Sequence, residues 1–113
     1  MAKEVIKEWG KEFWIVNNSD EDYCGKIITI SPGKSTSLHF HANKHETFYV
    51  LEGALDLIIV NTDDCEESII CLEPGDTHTI KQCVPHKLES CIGCKLIEVS
   101  TFHDDKDSYR ILK

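Results

Sequence analysis

The chain predicts an all-β domain of the sandwich or barrel class, on three observations. About nine or ten short strand-like runs follow one another, rich in Val, Ile, Thr, Phe and Tyr. Gly, Pro, Asn and Asp clusters separate them at short intervals. No stretch sustains a helical period. In chain order, Phe13 to Val16 is an apolar run that ends in the polar turn NNSDED. Tyr23 to Ser31 alternates and stops at Pro32-Gly33. Ser35 to His41 alternates again, and Ala42-Asn43-Lys44 is the next turn. His45 to Glu52 closes at Gly53, Ala54 to Val60 runs into NTDD, and Glu67 to Leu72 runs into Pro74-Gly75. Thr77 to Ile80, His86 to Ser90, Lys95 to Ser100 and a closing run at Tyr109 to Leu112 complete the set. The one helical expectation is a short segment at Val5 to Trp9.

At 113 residues, one core and one domain spanning 1–113 are expected. Hydrophobic residues at 41% and charged residues at 28% place the chain among globular proteins. No apolar run nears the roughly 20 residues a membrane helix needs. The opening MAKEVIKEWGKEF lacks a signal-peptide core, so a cytoplasmic location is expected. A net charge of −8, with Arg110 as the sole arginine, disfavours nucleic acid and anionic membranes as partners. Six cysteines without a secretory context read as reduced thiols. The single Cys91-x-x-Cys94 reads as a hairpin tip, since structural zinc sites usually use two such pairs.

The chemistry concentrates in residues 32–53. On a strand, side chains alternate faces, so His39 and His41 share one face and Leu38 and Phe40 the other. After the turn at 42–44, Glu46 shares a face with Phe48 and Val50, and His45 lies opposite with Tyr49. Two imidazoles and a carboxylate then converge, and His86, opening a later strand, completes a three-histidine, one-glutamate set. A lone histidine is more often a core or surface residue; a pair at i, i+2 with a spaced glutamate points to metal. That donor set suits one divalent ion among Zn, Mn, Fe, Co and Ni. His45, His78 and His103 are expected outside the ligand set, His103 at the surface. Trp9 and Trp14 are expected to pack.

The spacing Gly33-x5-His39-x-His41-x4-Glu46-x6-Gly53 resembles the first motif of the cupins. Their second motif is partly matched by Gly75 and His86, with Lys81 at the usual proline, Cys83 at the usual glycine and Ser90 at the usual asparagine. The resemblance implies a cupin double-stranded β-helix (jelly-roll) barrel with metal ligands His39, His41, Glu46 and His86. Further segments are similar to the cupin domain of type II mannose-6-phosphate isomerases: Lys7-Glu8-Trp9-Gly10, Ser37-Leu38-His39-Phe40-His41, Lys44-His45-Glu46, His86-Lys87-Leu88-Glu89-Ser90, Leu96-Ile97-Glu98-Val99 and Asp107-Ser108-Tyr109-Arg110. Small lyxose-type ketol-isomerases share much of this pattern.

That likeness implies aldose–ketose isomerisation of a sugar or sugar phosphate, with metal-assisted stabilisation of the developing oxyanion and a base to carry the proton. Lys44 and Arg110 are the expected catalytic residues, Arg110 as the grip on a phosphate with Lys44 and Lys87 as helpers, and Lys44 or Tyr49 as base. The bland reading of Arg110 is an ion pair with the neighbouring DDKD run. Competing expectations are a non-haem-metal dioxygenase and a non-catalytic sugar-binding module. A homodimer is expected, because small β domains pair to protect their edges.

Overall fold

The computed structural model describes residues 2–111. Twelve strands and one 3-10 turn form two antiparallel sheets. The strands are β1 (Lys3–Lys7), β2 (Gly10–Asn18), β3 (Tyr23–Ile30), β4 (Lys34–Ser35), β5 (His39–His41), β6 (Glu46–Gly53), β7 (Leu55–Val60), β8 (Glu67–Leu72), β9 (Thr77–Ile80), β10 (His86–Ser90), β11 (Cys94–Ser100) and β12 (Ser108–Arg110). One sheet runs β1-β2-β3-β11-β6-β9; the other runs β12-β5-β10-β7-β8, with β4 also on β10. This is the two-sheet cupin jelly-roll arrangement.

Residues at period two build the core. On β3, Cys24, Lys26, Ile28 and Ile30 turn inward; on β11, Cys94, Leu96, Glu98 and Ser100 do so; on β6, Glu46, Phe48 and Val50. Each inward row is apolar at one end and polar at the other. Antiparallel register (Lys26 opposite Glu98, Ile28 opposite Leu96) aligns like with like. The apolar half packs Ile28, Ile30, Phe48, Val50, Leu55, Leu57, Leu72, Leu88 and Leu96. The polar half forms a cavity of about 450 Å³.

The expectation at Val5 to Trp9 is overturned. Residues 3–7 are β1, hairpinned to β2 with Lys3 opposite Trp14 and Lys7 opposite Gly10. The hydrogen bonds of the β2 edge outweigh weak helical propensity over so short a segment. A side chain at Gly10 would strike the Thr29 carbonyl, which ties glycine to this hairpin. The expected strand from Ser35 to His41 is split, because Thr36 turns aside to donate its backbone N–H to the Leu88 carbonyl at 2.9 Å and to accept the Leu88 N–H on its hydroxyl at 3.0 Å. The closing strand ends at Arg110; Leu112 lies outside the described residues.

Candidate metal centre

β5 places His39 and His41 one residue apart on the same side of the strand, and β10 pairs His86 directly with His39. One ring nitrogen from each of the three lies within 4.8 Å of the others. Glu46 arrives from the opposite sheet: its Oε2 is 3.0 Å from His86 Nε2 and 3.6 Å from His41 Nε2. His86, His41 and Glu46 are buried; His39 is half-buried and faces the cavity.

Hydrogen bonding selects the tautomer of each ring. The Nδ1–H of His39 donates to the Ser37 carbonyl at 2.8 Å, that of His86 to Val84 at 3.0 Å, and that of His41 to Asp107 at 3.2 Å. A carbonyl only accepts, so each Nδ1 carries the proton and each Nε2 lone pair is free for a ligand bond. Burial, then the neighbouring His86, pushes His39 down to about 4, so its imidazole is neutral at physiological pH. Burial also lowers His41. Burial raises Glu46, but His86, Lys44 and His41 together outweigh it and hold the carboxyl well below the ordinary carboxylate range. Glu46 Oε2 is buried without a hydrogen bond: the His86 contact has ion-pair distance but not hydrogen-bond geometry. Three imidazoles whose Nδ1–H groups are held by backbone carbonyls, beside a buried carboxylate oxygen without a hydrogen bond, fit a single divalent metal ion. These ligand types do not choose the element.

Lys44 is buried among carboxylates. Its ammonium lies 2.6 Å from Glu98 Oε2 and 3.4 Å from Glu46 Oε1. Burial alone pulls the lysine down; Glu98 and Glu46 reverse that and raise it above its ordinary value. A lysine held as ammonium is no general base. It also donates to His103 Nδ1 at 2.9 Å, while His103 Nε2–H donates to Asp105 at 2.8 Å. His103 is therefore not at the surface. Its backbone is fastened to the Asn17 amide in both directions, its side chain is 12% exposed, and it lines the cavity.

Sequence reading missed Asp107 as a structural device. Its carboxylate accepts the backbone N–H groups of Ala42, Asn43 and Lys44 at 2.9 to 3.1 Å, and its carbonyl holds His41. The run DDKD hid it, because a charged run ordinarily reads as a solvated surface. Glu12, Lys26 and Glu98 were missed for a similar reason: a polar residue in an alternating strand looks outward until the register is known.

Arg110 lines the cavity and stands opposite His39 in the β12–β5 register. Among the described residues no carboxylate pairs with it, so the DDKD ion pair is not formed. Lys87 pairs with Glu89 at 3.1 Å and is not part of the cavity wall. Tyr49 is on the outer face of β6, His45 is exposed, and His78 lies outside the cavity. In the loop before His86, Cys83 adopts φ 66°, the conformation a glycine favours, and its N–H donates to the His41 carbonyl at 2.7 Å. Cys91 and Cys94 are free thiols at the β10–β11 turn, one exposed and one buried. Trp9 packs on the core, as expected.

Residues 26–99 match the cupin domain family. The chain belongs to the cupins. Over 109 residues it is 22% identical to oxalate decarboxylase OxdC of Bacillus subtilis, covering 93% of this chain and 28% of that protein. Crystal structures of this cupin's relatives share its fold. CapF from Staphylococcus aureus, described as a capsular polysaccharide assembling protein, superposes with a TM-score of 0.86 at 17% identity, covering 100% of this chain and 32% of CapF. A Lactobacillus farciminis oxalate decarboxylase in complex with formate gives 0.83 at 20% identity, covering 97% and 34%. The cupin chain thus spans about three-tenths of these longer proteins. A further B. subtilis oxalate decarboxylase structure is described by its Mn(II) centres.

Proposed function

We propose that this cupin, acting as one domain, is a metal-dependent enzyme that isomerises a sugar or sugar phosphate between aldose and ketose. One observation carries the reading: the donor atoms of His39, His41, His86 and Glu46 converge on the wall of a 450 Å³ cavity whose surface mixes charged, hydroxyl and aromatic groups. Such a wall suits a small molecule rich in oxygen.

His39, His41, His86 and Glu46 would hold the ion, which, when bound, supplies Lewis-acid polarisation of a substrate oxygen. The Nδ1–H bonds to backbone carbonyls keep the three rings in place. Lys44, pinned between Glu46 and Glu98, orients the carboxylate and stays protonated, so its part is electrostatic. Arg110, unpaired at the cavity wall, grips an anionic end such as a phosphate. The free thiols suit the reducing cytoplasm, and no helix among the described residues is long and apolar enough to cross a membrane. The apolar outer face of the β1-β2-β3-β11-β6-β9 sheet favours a homodimer.

A coupled assay with mannose 6-phosphate and a panel of free pentoses, with and without EDTA, tests the reading. EDTA-sensitive turnover is expected; metal-loaded protein that turns over no sugar refutes it. The similarity to oxalate decarboxylases favours a second reading, metal- and oxygen-dependent chemistry on a small carboxylate. Iron or manganese content with substrate-dependent oxygen uptake or carbon dioxide release would select it. Ligand-induced stabilisation without turnover would select a sugar-binding module.

A further inference from the structure

Lys26 is 1% exposed and is among the largest of the fully buried side chains. Taking an ammonium out of water costs several kcal/mol unless partners replace the solvent. Its partners are poor. Glu12 Oε1 is 3.5 Å away, at the limit of a hydrogen bond, and the face of the Trp14 ring lies 4.3 Å from Nζ. Neither Lys44 nor His103 helps, the one being a cation and the other bound to it. An ammonium has three donors. One is directed at Glu12 and one at the indole, which leaves a donor without a partner inside the cavity that Lys26 lines.

Glu12 offers a complementary acceptor that is open to the cavity. Its Oε1 takes both the Trp14 Nε1–H, at 2.8 Å, and Lys26. No hydrogen bond among the described residues reaches its Oε2, and Glu12 also lines the cavity. The pair is held by the fold. Trp14 and Lys26 face each other across the β2–β3 ladder, just before the register shift between Trp14 and Val16.

From this we infer that Lys26 and Glu12 form a second binding subsite in the metal cavity, one that reads a neutral hydroxyl group of a polyol ligand. A hydroxyl both donates and accepts, so it satisfies the Lys26 donor and the Glu12 oxygen together. A phosphate or carboxylate only accepts, and Glu12 repels it. Lys26 is on β3 and Glu46 on β6, with β11 between them, so the two strands stand roughly 10 Å apart. With both side chains reaching inward, a pentose- or hexose-sized ligand bridges the metal residues and the subsite. Any anionic end then points to Arg110, which, like Lys7, lines the cavity without a carboxylate partner among the described residues. The inference rests on the reading of this cavity as a metal-dependent polyol site, but not on isomerisation.

The test is binding, measured by calorimetry on the metal-loaded full chain with D-mannose, D-lyxose, D-mannose 6-phosphate and oxalate as probes. At least one sugar is expected to bind, and Lys26→Met is expected to weaken it by about ten- to a hundredfold, the loss of a charged hydrogen bond. Metal content, read by elemental analysis, should stay unchanged in that variant. Glu12→Gln keeps the side-chain shape, leaves the Lys26 charge uncompensated, and should shift preference toward oxalate; it serves as the deciding variant if Lys26→Met does not fold. The inference is overturned if no sugar binds, if Lys26→Met binds sugar within twofold of the parent, or if Glu12→Gln leaves the sugar-to-oxalate ratio unchanged. Lys26-dependent sugar binding without turnover would sink the isomerase reading and leave this subsite standing.

Discussion

At the level of single residues, the metal centre is a set of donors with nothing to donate to. Imidazole nitrogens gathered around a buried carboxylate oxygen without a hydrogen bond are costly to bury, and a cation removes the cost. His86→Ala should therefore lose the metal, with content by elemental analysis falling from one ion per chain to less than about a tenth at matched free metal. The fold should survive, because the imidazole is held by one backbone bond, to Val84. Cys83 offers an independent check on backbone strain. It carries φ 66° with a side chain, where glycine is unstrained. Cys83→Gly should raise stability by about 1 kcal/mol in chemical denaturation. The thiols also divide cleanly. Burial pushes Cys94 up to about 11 and raises Cys24, so both should resist a thiol reagent at neutral pH. Exposed Cys65, Cys83 and Cys91 should react in the native protein, and Cys71 more slowly because Asp56 beside it raises its thiol.

Among the elements, the turn at 42–44 shows how a local signal acquires its meaning from elsewhere. The spacing of His41 and Glu46 reads as the turn of a hairpin, yet β5 and β6 lie in different sheets, and three consecutive turn amides are held by Asp107, more than 60 residues away. Asp107→Ala should leave those buried N–H groups unpaired. The expected loss is about 2 to 4 kcal/mol, with faster hydrogen exchange at Ala42, Asn43 and Lys44. Metal affinity should fall about tenfold, since the same segment carries His41. A variant whose turn amides exchange as slowly as the parent's would refute this role. Strand-level alternation, by contrast, is legible over most of the chain: the expected runs at 23–31, 54–60, 67–72, 77–80 and 86–90 appear with boundaries shifted by a residue or so. β1 is not, because alternation over five residues with one half-buried position is too weak to outvote a helical reading.

For the molecule as a whole, the barrel is divided into an apolar half that supplies stability and a polar half that holds the site. Lys26, Lys44, Glu46 and Glu98 are all buried in the latter, an arrangement that costs stability until a cation and ligand complete it. A divalent metal at about a hundred times its dissociation constant should raise Tm by roughly 10 °C, and EDTA should reverse the shift in a thermal melt. No shift with any of Zn, Mn, Fe, Co or Ni would contradict the metal centre. The outer face of the β1-β2-β3-β11-β6-β9 sheet carries an apolar row, Phe13, Ile27, Ile97 and Tyr49 in register across four strands, with Val99 61% exposed beside it. Sedimentation should find a dimer, and Val99→Asp should shift it toward monomer.

Period-two alternation, turn chemistry and the close spacing of His39, His41 and Glu46 are local quantities, and the amino-acid order alone determined them: an all-β chain with a metal-competent strand pair. The tertiary structure alone decided the remainder. It set His86 against His39, drew His103 inward, clamped the ligand turn with Asp107, and lined Lys26 and Glu98 along the cavity rather than the surface. Each of those depends on cross-strand register between residues far apart in the chain, and register is chosen by the packing of the whole core, not by any neighbourhood of the sequence.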